Sequence, residues 1–96
     1  GIRICLLSRE VRKNGTLVEL TASEFKLLRL FMENPNIVLS PEQILSRLWD
    51  CDENFIDSNT LTVYIRRLRT KIEDNPAEPR NIVTVRRMGY RWNSTD

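Results

Sequence analysis

Asn59-Thr60-Leu61-Thr62-Val63-Tyr64-Ile65-Arg66-Arg67-Leu68-Arg69-Thr70-Lys71-Ile72 is the stretch on which the reading of this chain turns. It contains neither glycine nor proline, and its apolar residues recur at helical spacing. At about 100° per residue, Leu61, Ile65, Leu68 and Ile72 share one face, while Asn59, Val63, Arg66, Arg67 and Thr70 centre on the opposite one. Thr60, Arg69 and Lys71 lie toward the sides. Such a helix docks by its apolar stripe and turns a basic stripe outward. Asp57 or Ser58 is placed to cap its start, and Asp74-Asn75-Pro76 stops it at about Glu73.

Beyond Pro79 the period changes to two. Ile82-Val83-Thr84-Val85 reads as a strand, Arg86-Arg87-Met88-Gly89 as a tight turn and Tyr90-Arg91-Trp92 as the returning strand. Gly89 suits a turn or bulge position that needs positive φ. Upstream of the basic helix, Ser40 is an N-cap, Pro41 suits the first helical position and Gln43 completes a capping box. Ile44, Leu45, Leu48 and Trp49 form the apolar stripe of that helix. The acidic run Asp50-Cys51-Asp52-Glu53-Asn54 after it reads as a loop.

An earlier helix opens on a second capping box, Thr21-Ala22-Ser23-Glu24, and is ended by Asn34-Pro35. Phe25, Leu27, Leu28, Leu30, Phe31 and Met32 cover most of its circumference, so it is expected to be the buried central support. At the N-terminus, Ile2, Ile4 and Leu6 alternate with Arg3 and Cys5. Glu10–Lys13 and Thr16–Leu20 flank Asn14-Gly15, a strong hairpin signal because both turn positions need positive φ. The chain is therefore expected to be one α+β domain over 1–96. An N-terminal antiparallel sheet (1–20), three helices (21–73) and a C-terminal hairpin (80–93) make the winged helix-turn-helix layout.

Composition narrows the function. The 96 residues fit one domain with a modest core and no deep cleft between lobes. With 41% hydrophobic and 29% charged residues, the chain belongs with ordinary globular domains. Neither a signal peptide nor a membrane span is legible, which points to the cytoplasm. The absence of histidine removes His-based metal sites and the common nucleophile–base pairs. Carboxylate pairs such as Asp50/Asp52 have no identifiable partner, so no enzyme activity, cofactor or metal is expected. Cys5 and Cys51 read as reduced, structural thiols. Net charge is +2 overall, but unevenly spread. Residues 1–58 hold 7 basic and 9 acidic side chains, and residues 59–96 hold 8 and 4. The C-terminal half thus presents a basic face.

That face suits duplex DNA. The major groove admits one α-helix and is where all four base pairs differ. Arg66 or Arg67 can bond guanine O6 and N7 in bidentate fashion, Asn59 can pair with adenine or reach a phosphate, and Val63 can meet a thymine methyl. Thr60, Arg69 and Lys71 lie where phosphates would pass. Arg86 and Arg87 can enter the adjacent minor groove, whose A·T-rich segments concentrate negative potential. Thr84 and Tyr90 carry hydroxyls suited to phosphates. Each feature has a plainer reading: Arg-Arg as a solvated helix face, Val63 as a stray surface apolar, Trp49 as a core anchor, Tyr64 as packing under the wing. The combination favours DNA.

Four segments carry a family resemblance: Thr21-Ala22-Ser23-Glu24-Phe25-Lys26-Leu27-Leu28, Leu39-Ser40-Pro41-Glu42-Gln43-Ile44-Leu45, Thr60 through Ile72 and Val83 through Trp92. Together they resemble the OmpR/PhoB-type response-regulator effector domain, over nearly the whole chain. The resemblance implies a four-stranded N-terminal sheet, three helices and a C-terminal hairpin. It implies Val63 and Arg67 at bases, and Thr60, Tyr64, Arg66 and Arg69 on or near the DNA backbone. Arg86 would enter the minor groove, with Thr84 and Tyr90 supporting the wing. Trp49 matches a position that can touch phosphate. Asp50, Asp52, Glu53 and Asn54 fall in the segment through which relatives touch RNA polymerase. Pro41 and Asn59 stand where many relatives carry Arg, and Arg87 where Gly is frequent, which bears on the target sequence.

The resemblance further implies an N-terminal receiver domain phosphorylated by a sensor kinase, and tandem binding to direct repeats by a domain that is monomeric alone. Two other functions compete with this one. A winged helix can serve as a protein-interaction module, which would not require Arg66/Arg67 together with Arg86/Arg87. A one-component regulator would use the same domain without a receiver.

Overall fold

The computed structural model describes residues 2–49 and 58–93, the side chains of Trp49 and Ser58 excepted. Three strands come first: β1 (Ile2–Cys5), β2 (Glu10–Lys13) and β3 (Thr16–Val18). They form an antiparallel sheet in the order β1-β2-β3. Asn14 and Gly15, at φ 51° and 85°, make the turn between β2 and β3 that the Asn-Gly pair predicted. The alternation over Ile2, Ile4 and Leu6 stops sooner than the sequence pattern indicated. β1 ends at Cys5, and Leu6 and Leu7 sit exposed in the turn that Arg9 closes at φ 56°.

Helix α1 (Ala22–Glu33) begins at the expected cap. Thr21 Oγ1 accepts the Glu24 amide at 3.2 Å, and Glu24 Oε1 accepts the Thr21 amide at 2.9 Å. Helix α2 (Pro41–Trp49) repeats the device. There Ser40 Oγ accepts the Gln43 amide at 3.1 Å and Gln43 Oε1 accepts the Ser40 amide at 2.9 Å. Helix α3 runs Ser58–Ile72. Phe31, Leu27 and Leu28 from α1, Ile44 from α2 and Leu61, Ile65, Leu68 and Ile72 from α3 meet in one core, closed by Val11, Ile82 and Trp92.

Strands β5 (Ile82–Val85) and β6 (Gly89–Trp92) form the C-terminal hairpin. The four-stranded N-terminal sheet implied by the family resemblance is corrected here. The sheet holds three strands among the described residues, and the short strand β4 (Val38–Leu39) pairs with β6 instead, giving β4-β6-β5. The reason is local. Gly89 has no side chain, so the backbone of Leu39 can come against β6, where a Cβ would lie 2.1 Å from the Leu39 carbonyl oxygen. The hairpin is thereby anchored to the residues that open α2.

Candidate nucleic-acid interface

Helix α3 sorts its side chains as its periodicity requires. Leu61, Ile65, Leu68 and Ile72 are all at most 1% exposed. Asn59, Val63, Arg66, Arg67 and Thr70 are exposed on the other side, with Val63 at 44%. Thr60 and Tyr64 are half-buried at the flanks. Among the described residues, neither Arg66 nor Arg67 meets a carboxylate within ion-pair distance. Arg67 instead lies over the Tyr64 ring, 5.4 Å from its centroid, which stiffens its approach without neutralising it. Thr70 donates its hydroxyl proton to the Arg66 carbonyl at 2.9 Å, so only its oxygen lone pairs remain for another partner.

The wing tip extends the same charge. Arg86, Arg87 and Met88 are exposed between β5 and β6, and the Met88 amide donates to the Val85 carbonyl at 3.0 Å. Arg87 takes φ 65°, a left-handed turn position that glycine fills more easily. A groove of about 450 Å³ separates this tip from the start of α2, and its lining includes Ser40, Pro41, Glu42, Thr84, Arg87 and Tyr90. It lies between the two segments that carry the exposed cations of the wing and the amino end of a helix.

Two basic residues of α3 have partners within the fold that the periodicity did not foretell. Arg69 is half-buried. Its Nε and Nη2 donate to the Ile82 carbonyl at 3.0 and 2.9 Å, and Nη2 also reaches Thr84 Oγ1 at 2.8 Å. Its guanidinium sits 5.8 Å from the Tyr90 ring centroid. Lys71 turns toward α1 and pairs with Glu24 at 2.6 Å, although the sequence had set it beside the phosphates. The physical reason is that Glu24 is buried, and a cation within hydrogen-bond reach offsets the cost of burying its charge. The helical pattern marks Glu73 only as the end of the helix. It is 5% exposed, and its carboxylate accepts the amides of Arg80, Asn81 and Ile82. An acidic residue at a helix C-terminus opposes the helix dipole, and that mismatch was the available signal.

Burial alone would raise the Glu24 carboxyl, but hydrogen bonds from Lys71 and Thr21 and the Lys71 charge outweigh it and hold the pKa below its ordinary 4.5. A depressed folded pKa gives stability that is present above the unfolded value and fades as pH falls through the folded one. Lys71→Met should therefore destabilise the domain by roughly 1–2 kcal/mol at neutral pH and by less in acid. Melting curves at several pH values check this; a loss that does not shrink toward acid would contradict it.

The side chain of Trp49, and Asp50, Asp52, Glu53 and Asn54, lie outside the described residues. No helix among the described residues is long and apolar enough to cross a membrane.

Comparison with known proteins agrees with this geometry. Residues 15–92 match the family model described as "Transcriptional regulatory protein, C terminal". The chain is 46% identical over 81 residues to the uncharacterized transcriptional regulatory protein YcbL of Bacillus subtilis, covering 84% of this chain and 35% of that protein. Among solved structures, it superposes on response regulator DrrB of Thermotoga maritima, an OmpR/PhoB homolog, with a TM-score of 0.86 at 28% identity. That match covers 97% of this chain and 42% of that one. The Klebsiella pneumoniae RstA DNA-binding domain, in complex with the RstA box, gives 0.83 at 29% identity, covering 96% of this chain and 90% of that one. The chain spans well under half the length of the curated relatives it matches.

Proposed function

The chain belongs to the family of transcriptional regulatory protein C-terminal domains, and on that premise we propose that residues 1–96 form one winged-helix unit that binds double-stranded DNA with base specificity. In this reading α3 lies in the major groove and the β5–β6 wing in the adjacent minor groove. The observation that carries it is the exposed cationic face of α3, opposite a fully buried apolar stripe, beside an exposed Arg86-Arg87 tip. Arg67 and Val63 read base edges, Arg66 and Asn59 bases or phosphates, and Thr60, Tyr64, Thr70, Thr84, Tyr90 and Trp49 support contacts to the DNA backbone. Arg86 and Arg87 enter the minor groove. No catalytic step, cofactor or metal belongs to this function.

The test is selection of bound duplexes from a random pool, followed by titration at several salt concentrations. Affinity should fall at least about a hundredfold between ~50 and ~200 mM salt, through counterion release. Arg67→Ala should cost about 1–3 kcal/mol on the selected duplex and relax one base position. Binding indifferent to sequence and salt would remove the proposal.

The wider setting is part of the same proposal. The domain serves as the cytoplasmic output of a two-component response regulator, coupled through a receiver domain to a sensor kinase, and binds direct repeats in tandem while monomeric alone. Asp50, Asp52, Glu53 and Asn54 contact RNA polymerase. Alanines there should spare DNA binding and lower transcription in vitro, and unchanged transcription would remove that contact.

A further inference from the structure

β5 is the edge strand of its sheet, so alternate peptide groups along it face away from β6. The Asn93 amide donates to the Asn81 carbonyl at 2.7 Å, and the register pairs Ile82 with Trp92 and Thr84 with Tyr90. In that phase the peptide groups of Ile82 and Thr84 point away from β6. Two side chains at the end of α3 meet those of Ile82. Glu73 Oε2 accepts the Ile82 amide at 2.9 Å, and Arg69 Nε and Nη2 donate to the Ile82 carbonyl at 3.0 and 2.9 Å. The outward donor and the outward acceptor of Ile82 are thus both held from the reading helix.

Arg69 does more than cap a carbonyl. Its Nη2 also donates to Thr84 Oγ1 at 2.8 Å, and its plane lies near the Tyr90 ring on β6. One guanidinium therefore touches both strands of the hairpin. It sits close in sequence to Arg67 on α3, and Thr84 sits close to Arg86 at the tip. A linkage between the base-reading cation and the minor-groove cation runs through this side chain. A planar fork with fixed donor directions transmits position; a flexible ammonium does not.

We propose that Arg69 is a positioning residue that sets the wing against α3, so that the contribution of Arg86 to DNA binding depends on Arg69 instead of adding to it. The inference rests on the DNA reading above. It differs from a direct role at phosphate, which the two N–H groups left on Nη1 would permit. A phosphate ligand contributes independently of Arg86 and is largely replaced by lysine. A positioning residue is neither independent nor replaceable.

A double-mutant cycle separates the two roles, run with the whole chain on the duplex that the wild type enriches from a random pool. Arg86→Ala should weaken wild-type binding about tenfold and the Arg69→Ala background less than about twofold. Arg69→Lys should behave as Arg69→Ala does. In the free protein, Arg69→Lys should speed amide exchange along β5 and β6 and leave the α1 and α3 core protected. If Arg69→Ala does not fold, the cycle is run in the Arg69→Lys background, which keeps the charge and the stem. Additive losses, rescue by lysine or unchanged wing exchange would overturn the inference alone. A wild type that enriches no duplex, or an Arg86→Ala without cost, would overturn the groove reading and the inference with it.

Discussion

Gly89→Ala is expected to lower the melting temperature by more than ten degrees and to abolish selective DNA binding. A Cβ at position 89 would stand 2.1 Å from the Leu39 carbonyl oxygen and 2.9 Å from both the Leu39 carbonyl carbon and the Ser40 Cα. These are backbone atoms in the strand that pairs with β6 and the cap that opens α2, so no rotamer change relieves the clash. The residue also takes φ 144°, a region that L side chains rarely enter. Strain and separation together should cost at least about 3 kcal/mol. For a domain of this size each kcal/mol moves the melting temperature by about 4–8 °C. Relief requires β4 to leave β6, which breaks the Leu39–Tyr90 pairing and frees the wing from the start of α2. Gly15→Ala is the control. Its φ of 85° makes alanine strained, but nothing lies within 4 Å of the new Cβ, so only about 1 kcal/mol should be lost. Thermal melts followed by circular dichroism compare the two. A Gly89→Ala protein melting within a few degrees of wild type would refute the close-approach argument.

What the sequence disclosed and what it withheld divide along the range of the interactions. Caps, the Asn14-Gly15 turn and the two faces of α3 depend on residues a few positions apart, and each was legible from spacing. The exposed set Asn59, Val63, Arg66, Arg67 and Thr70 needed only the helical period and an apolar stripe. The internal partners of Arg69, Lys71 and Glu73 are not legible from spacing, because they lie in other elements of the fold. Periodicity assigns a residue to a face without saying what covers that face. Arg69 and Lys71 occupy the flanks, where a charged side chain can turn outward to a ligand or inward to a carbonyl or carboxylate. Their long stems allow both, and the inward partners are Ile82, Thr84 and Glu24. β4 was missed for another reason. Val38 and Leu39 are too few to show a period, and their pairing depends on the missing side chain of Gly89.

Glu73 carries the second large prediction, since it holds the segment that leads into the wing. Its Oε1 accepts the Arg80 amide at 3.1 Å, the Asn81 amide at 3.0 Å and Asn81 Nδ2 at 3.1 Å. Its Oε2 accepts the Asn81 amide at 3.0 Å and the Ile82 amide at 2.9 Å. Every one of these partners is a donor, so the site is shaped for an anion that only accepts. Glu73→Ala would leave several backbone N–H groups facing a void at the base of β5, at about 3–4 kcal/mol. That is a large fraction of the ~5–15 kcal/mol that holds a domain together. Glu73→Gln is the sharper experiment, because it preserves shape and volume. A carboxamide has one accepting oxygen, and its NH2 would be forced against N–H groups, so the isosteric change should still cost about 2–3 kcal/mol. Chemical denaturation of both variants gives the two numbers. Amide exchange should show the loss concentrated at Arg80, Asn81 and Ile82, spreading along β5. A Glu73→Gln protein as stable as the wild type would mean that these amides are satisfied by water as readily as by the carboxylate. The wing would then hang from α3 by Arg69 and core packing alone. If the loss is found, the cationic tip is tethered to the reading helix from two directions, by an acceptor at the start of β5 and a donor along it. A hairpin so tethered would bring Arg86 to the minor groove proposed for it without a search through many orientations.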